Sequence, residues 1–555
     1  MRNKDGSNYQ PYLIIFLAAI LLFYGLQSVS FTQYIEFYYL ESAREMIELR
    51  QWLVPSFNYS YRFDKPILFY WLVVLFFKGL GVNLASARLI SAIFGAGTLY
   101  LTYRIARERS GKLGGWLAAA ILLSTPHFIL ISRSATTDMM LTFFITFSLF
   151  AYFSFLEGAK RGWFFPLYAS LALATLTKGP IGFVIPVLVI FSHLAVGWDK
   201  EKLFNLKPVK GALLYLAIIL PWTLAIIKEY GLKAMLSIVH AADAAGKDPI
   251  KEPLYYYFQH IFGEFFPWGP LLIILFVVVL LNRELFKERF KRDLLPFLWF
   301  LVPLLFLSIF DKKIARYMLP VAPPMAILLA DILIDSLEKG RRGVVGIYKI
   351  YSYLLAILLL ALSIGTMFMA FMVSKSSFNF SLGLPALPLL FLFGSVGIIT
   401  LVVRGREVDI PLAFAATVIP VFIIVGVHLI PKMDSRPLME FGHIINKELS
   451  QEAVVSIYRE QPNDLIFFAA RKIVVIGSPD ELKNFAAEEG ERFCVIYEKD
   501  FNSLPNQVRA DLNIVYWRHR WRDIDTLSKF ERFLGNPEEF KSWVYLVKIG
   551  GGAGN

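Results

Sequence analysis

The chain is expected to fold as a polytopic α-helical membrane protein with a C-terminal α/β domain. Three observations predict this. Hydrophobic residues make up 56% of the 555 and charged ones only 18%, with mean hydropathy +0.55. Apolar runs of spanning length recur along the first three quarters, separated by loops of alternating charge. The pattern then changes near Pro431 to short strand-like runs.

A bilayer span needs about 17–25 apolar residues. Runs near 12–30, 82–103, 113–131, 137–156, 163–177, 181–197, 211–228, 267–282, 294–310, 315–335, 346–373, 384–403 and 409–430 meet this, about thirteen in all. The run from Pro66 to Gly81 is aromatic-rich and flanked by charge, and suits an interfacial helix. The start near Pro11 lacks a small-residue cleavage site and is expected to remain as an anchor.

Every second loop is basic. Arg104, Arg107, Arg109 and Lys112 follow the second run. Arg283, Lys287, Arg289, Lys291 and Arg292 follow the eighth, and Lys339, Arg341 and Arg342 the tenth. The positive-inside rule puts these loops and the N-terminus in the cytoplasm. The net charge of +12 is thereby explained without a nucleic-acid partner. Cys494 is the single cysteine, so no intrachain disulfide forms.

Bases in the opposite loops need another reason. They lie between Glu36 and Lys65, at Arg133, in Lys178-Gly179-Pro180, and in Asp311-Lys312-Lys313-Ile314-Ala315-Arg316. Gripping phosphate in a cleft is one reason. Snorkelling to the interface is the other. Asp138 follows Thr136-Thr137 and reads either as a site carboxylate or as a helix cap. Arg44 and Glu45 read equally as a juxtamembrane surface pair.

After Pro431, runs at 454–458, 472–476, 492–497, 512–516 and 543–547 read as strands. Helical patterns lie between them, one with Ser478 as N-cap. This makes residues 431–555 a small soluble α/β domain beside a membrane domain of 1–430, whose main outer loops are 31–81 and 229–266.

The residues then carry a resemblance. Glu36…Tyr39…Glu41…Ala43-Arg44-Glu45-Met46, Trp52…Pro55 and Phe63-Asp64-Lys65-Pro66…Tyr70-Trp71-Leu72 resemble the first outer loop of the bacterial aminoarabinose transferase (ArnT) and protein mannosyltransferase group. Ala87-Arg88-Leu89, Arg133…Asp138, Thr177-Lys178-Gly179-Pro180, Pro267-Trp268 and Arg316-Tyr317-Met318-Leu319-Pro320 continue it in order. These are integral-membrane GT-C glycosyltransferases of the bacterial inner membrane.

The resemblance implies transfer of a sugar from a polyprenyl-phosphate donor to a periplasmic acceptor, lipid A phosphate first, with the site and C-terminal domain facing the periplasm. It implies Lys65, Lys178 and Arg316 as donor-phosphate ligands, and Glu36 and Asp138 as the catalytic carboxylates. Asp64 stands where the group has a Glu linked to a divalent metal ion. His240, as a metal candidate, and His260 and Glu264 lie on the loop expected to close over the donor. One departure matters: the group's usual Asp-Glu pair reads Ile35-Glu36 here. Ile35 can neither give nor take a proton. The loss leans towards an acceptor that is already anionic. Transfer to a protein hydroxyl, a flippase and a non-catalytic binding protein remain alternatives.

Overall fold

The computed structural model describes residues 10–28, 34–158, 162–197, 200–240, 251–374, 383–430, 436–521 and 537–549. Within the described residues each of the apolar runs above is mostly helical. Among the described residues seven helices are long and apolar enough to cross a membrane: Leu84–Leu123, Thr137–Leu156, Pro208–Val239, Ala315–Glu338, Arg342–Met372, Leu384–Val403 and Glu407–Leu429. An eighth results if Tyr256–Glu264 and Trp268–Leu281, bent by 117°, form one span. The chain is thus a multi-pass membrane protein.

The difference from thirteen has local causes. The second and third runs join into one 40-residue helix, kinked where Ser110 and Gly111 leave helical geometry. Several other runs form helices of fewer than 18 residues, such as Phe164–Lys178 and Ile181–Gly197.

Buried charge organises one end of this bundle. Arg109 donates to Asp331 at 2.5 Å and to Asp293 at 2.9 Å, and Arg289 bridges Asp293 and Asp335 at 2.7 and 2.9 Å. Lys339 and Arg341 close on Asp335 at 2.9 and 3.2 Å. These bases come from three of the alternate basic loops, so those loops share one end. Asp331, unpaired in its local sequence, finds its partner 222 residues away.

The C-terminal domain is a five-stranded sheet. In chain order the strands are β3 (Val454–Tyr458), β4 (Ile473–Ile476), β5 (Arg492–Tyr497), β6 (Leu512–Trp521) and β7 (Lys541–Ile549), after a small hairpin of β1 (Ser56–Phe57) and β2 (Ser60–Tyr61) in the membrane domain. The spatial order is β4-β3-β5-β7-β6. β3 pairs in parallel with β4 and β5, while β7 runs antiparallel to β5 and β6. Two-residue periodicity sends Phe493 and Val495 to one face and Cys494 and Ile496 to the other, and each face carries its own apolar core. Ser478 caps Pro479–Ala487 by accepting from the Glu481 amide at 3.2 Å.

The hairpin docks this domain. Asn58 and Tyr59 both have positive φ, 54° and 61°, as a two-residue turn of this kind requires. Buried Glu45 holds the turn, accepting from Ser56 Oγ at 2.5 Å and from the Tyr59 amide at 3.0 Å. The Asn58 side chain then donates to Ile473 O at 2.8 Å and accepts from Ile473 N at 2.9 Å. Phe37 packs on Phe467 and Phe468 beside it. Within the aromatic-rich run from Pro66 to Gly81, Phe69 and Tyr70 are fully buried core, and of these three neighbours Trp71 alone reaches the surface.

Candidate active site

Three chain breaks bring the site together. Asp138 lies in the first turn of Thr137–Leu156, and Thr136 rather than Asp138 occupies the cap position. Lys178 is the last residue of Phe164–Lys178, which Gly179 ends at φ 77°. Arg316 sits in the 3₁₀ turn Ala315–Val321 that leads into Ala322–Glu338. An acid at a helix N-terminus and a base at a C-terminus each match the local dipole.

The three side chains meet. Lys178 Nζ donates to Asp138 Oδ1, and Arg316 Nε lies 3.5 Å from Asp138 Oδ2. The Lys178 ammonium also stands over the Tyr317 ring at 3.8 Å from its centre. Asp138 therefore spends both oxygens on holding two cations side by side.

Lys65 completes the set from the segment between the first two apolar runs. Its ammonium donates to Asp64 O at 3.0 Å and interacts electrostatically with Tyr317 and Lys178. Burial pushes Lys65 below its ordinary pKa; Asp64 and Tyr317 oppose this, while Lys178 and Arg62 add to it. An anion placed here would relieve it. Asp64 Oδ2 accepts from Arg62 Nη2 at 2.6 Å, and the Arg62 guanidinium lies over the Tyr38 ring at 4.2 Å. Tyr39, fully enclosed, lies within electrostatic reach of Asp64, Asp138 and Arg316.

Glu36 is placed differently from the expectation of a substrate-facing carboxylate. It is wholly buried, with Arg88 donating to its two oxygens at 3.0 and 2.8 Å and the Ala135 amide donating at 2.5 Å. The same Arg88 donates to Leu26 O at 2.9 Å and Ser28 O at 2.5 Å. Ile35 is half-buried against the apolar core.

The bases of the loops opposite the basic ones thus divide into two groups. Lys65, Lys178 and Arg316 converge. Arg133 instead donates to Leu21 O, Tyr24 O and Gly25 O, satisfying carbonyls at the end of the first helix, and Lys313 donates to Glu252 O and Phe310 O.

The loop residues flank this centre. His260 stacks on Tyr256 at 3.9 Å and hydrogen-bonds Tyr256 O at 2.8 Å through Nδ1. Glu264 pairs with His127 Nδ1 at 2.8 Å. Tyr257 OH accepts from the Ile314 amide at 3.3 Å and so ties this short helix to the strand of chain leading to Arg316. The side chain of His240 lies outside the described residues. Among the described residues no group of three or more His, Cys, Asp or Glu side chains assembles that could hold a metal ion. Asp64 offers one buried oxygen without a partner, which is a single ligand.

Sequence reasoning missed Tyr39, Tyr317 and Arg62 as site residues. Tyr317 adjoins Arg316, and Arg62 lies three residues before Lys65, but a lone tyrosine among 26 gives no charge signal.

Comparison with known proteins gives matches along most of the chain. A family model for dolichyl-phosphate-mannose-protein mannosyltransferases matches residues 11–230, and one for the Alg9-like mannosyltransferase family matches 251–382. An uncharacterized protein of Aquifex aeolicus is 30% identical over 339 residues, 60% of this chain and 65% of that one. The undecaprenyl phosphate-alpha-4-amino-4-deoxy-L-arabinose arabinosyl transferase of Shewanella sediminis is 27% identical over 319 residues, 56% of this chain and 57% of that one. The chain thus spans less than two thirds of these two relatives. The crystal structure of ArnT from Cupriavidus metallidurans bound to undecaprenyl phosphate matches 99% of this chain and 100% of its own, with TM-score 0.75 at 17% identity. The archaeal oligosaccharyltransferase AglB from Archaeoglobus fulgidus gives TM-score 0.51 at 12% identity over 89% of this chain and 70% of its own. In sequence the chain is similar to these mannosyltransferase families and to the arabinosyl transferases over part of its length, and its fold is similar to that of the ArnT structure.

Proposed function

We propose that the chain transfers a sugar from a polyprenyl-phosphate donor, of the undecaprenyl-phosphate kind, to an anionic acceptor, lipid A phosphate being the leading one. The observation that carries this reading is the convergence of Lys65, Lys178 and Arg316 around Tyr317, with Asp138 holding two of the cations in place. Such a cluster has little use for an uncharged ligand, whereas a lipid phosphate satisfies it.

In the reaction the bond between the anomeric carbon and the donor phosphate oxygen breaks, and its electron pair leaves with that oxygen. Lys65, Lys178 and Arg316 neutralise the charge that grows there. An acceptor phosphate oxygen forms the new bond to the anomeric carbon with its own lone pair. No proton has to be removed, which fits a site where Ile35 stands in place of the usual Asp and both Asp138 oxygens face cations. Glu36 is assigned to holding Arg88 and the first helix rather than to substrate.

The proposed orientation has the site and C-terminal domain outside the cytoplasmic membrane, opposite the loops of Arg109, Arg289 and Arg341. The deciding experiment supplies purified protein in nanodiscs with polyprenyl-phosphate sugars and lipid A, with products read by mass spectrometry. Sugar on a phosphate supports the reading. Sugar on a protein hydroxyl, or a C-terminal reporter active in the cytoplasm, would sink the acceptor or the orientation respectively.

A further inference from the structure

Lys65 ends a stretch of chain whose contacts lead step by step from the C-terminal sheet into the phosphate cluster. Asn58 meets the Ile473 backbone twice, donating to its carbonyl at 2.8 Å and accepting from its amide at 2.9 Å. Asn58 and Tyr59 form the turn of the β1–β2 hairpin, which pairs Ser56 with Tyr61 and Phe57 with Ser60. The Arg62 amide closes the hairpin on Pro55 O at 2.9 Å. The Arg62 guanidinium then holds Asp64 Oδ2 at 2.6 Å, and Asp64 O accepts from Lys65 Nζ at 3.0 Å.

Arg62 is where the hairpin meets the site. Its guanidinium lies 4.2 Å from the centre of the Tyr38 ring and 5.9 Å from that of Phe57, and those two rings are 4.5 Å apart. Phe57 is a strand residue of the hairpin, so a shift of the hairpin moves the surface on which Arg62 rests. Buried Glu45 leaves the turn little freedom, since it accepts from both Ser56 Oγ and the Tyr59 amide. Lys65 follows Asn58 by only seven residues. A short segment held at this many points passes a displacement along rather than absorbing it. Positioning of this kind matters, because a misplacement of about 1 Å can lower a rate by about 10²-fold.

We infer that the C-terminal sheet is a positioning element of the site: acting through Asn58 and the hairpin, it sets where Arg62 and Lys65 stand, and Asn58 is the positioning residue. This rests on the transferase reading above, in which Lys65 takes the donor phosphate. The coupling runs both ways. If a docked sheet strengthens the hold on a lipid phosphate, a lipid phosphate held by Lys65 strengthens the docking by the same factor. A hairpin that merely attached the sheet would show neither effect.

The test uses the full chain in nanodiscs with undecaprenyl phosphate as the probe. Lipid affinity is titrated, and amide exchange is followed in β4, where the Ile473 amide reports docking directly because Asn58 is its acceptor. Adding the lipid to the wild-type protein is expected to slow exchange at Ile473 by about fivefold or more, the lower end of the usual coupling between two sites. Asn58→Gly keeps the positive φ of the turn and removes the clamp. It should weaken lipid binding by a similar factor, and the lipid should no longer slow exchange in β4. Lys65→Met should leave exchange in the lipid-free protein unchanged and abolish the response to lipid, with Lys178 and Arg316 still binding it. Wild-type exchange in β4 that does not respond to bound lipid, or equal lipid affinity in the wild type and Asn58→Gly, overturns the inference while leaving the transferase reading intact. No binding of undecaprenyl phosphate by the wild-type protein overturns both.

Discussion

Replacing Lys178 by Met separates a catalytic charge from a structural one. Lys178 is buried, and its loss removes one of the two cations on Asp138. Breaking a buried pair on one side costs roughly 3–5 kcal/mol of stability, because the partner charge is left uncompensated. Arg316 at 3.5 Å remains, so the lower end of that range is expected. The catalytic loss has a different origin. Removing one preorganised group that stabilises developing charge lowers kcat by about 10²–10³-fold. A double variant, Lys178→Met with Asp138→Asn, should recover part of the stability, since the Asp138 charge is no longer stranded although Arg316 loses that carboxylate. It should not recover turnover. Thermal unfolding in detergent gives the first quantity and donor turnover the second. Recovery of activity along with stability in the double variant, or activity of Lys178→Met within about threefold of wild type against that 10²–10³ scale, would mean Lys178 only neutralises Asp138 and the phosphate argument is wrong.

Three further outcomes follow from the described contacts. Glu36→Gln should destabilise by roughly 3–5 kcal/mol through stranding Arg88, yet keep kcat per folded molecule, which melting curves and active-site-normalised rates would check. Burial pushes the Glu41 carboxyl up to about 7 from an ordinary 4.5, outweighing the Arg44 guanidinium at 2.6 Å. Its folded pKa lies above the unfolded one, so the stability it contributes is full below pH 4.5 and is lost as pH rises through about 7; Glu41→Gln should flatten that decline in melting temperature against pH. Asn58→Ala should loosen the docked domain, seen as faster amide exchange in β4 with little change in the sheet's inner strands.

What could be read beforehand followed from charge lying where oil was expected. Lys65, Lys178 and Arg316 stood out because bases there broke the orientation bias, and they are the residues that converge. The same signal also flagged Arg133, which satisfies helix-end carbonyls, because a charge in oil announces only that it has a partner. Glu36 was misplaced for the complementary reason. Its partner Arg88 is 52 residues away, and no local pattern links them. The spans were legible as apolar runs, and the charged stretch from Arg104 to Lys112 marks the place where the helix Leu84–Leu123 is kinked at Ser110 and Gly111. In the soluble domain strand positions followed from short β-branched runs, whereas the antiparallel entry of β7 between β5 and β6 depends on pairings that sequence order does not state.

The bidentate contact between Asn58 and Ile473 has a bearing on how this protein stays soluble outside the bilayer. β4 is an outer strand of the sheet, and an outer strand presents free amides and carbonyls to any passing chain. A single side-chain amide from the membrane domain occupies both groups of Ile473 and acts as a one-residue strand laid along that rim. The membrane domain is therefore the sheet's edge guard. Residues 436–549 produced without it would carry an uncovered rim at β4, and self-association there is the expected fate of the isolated domain.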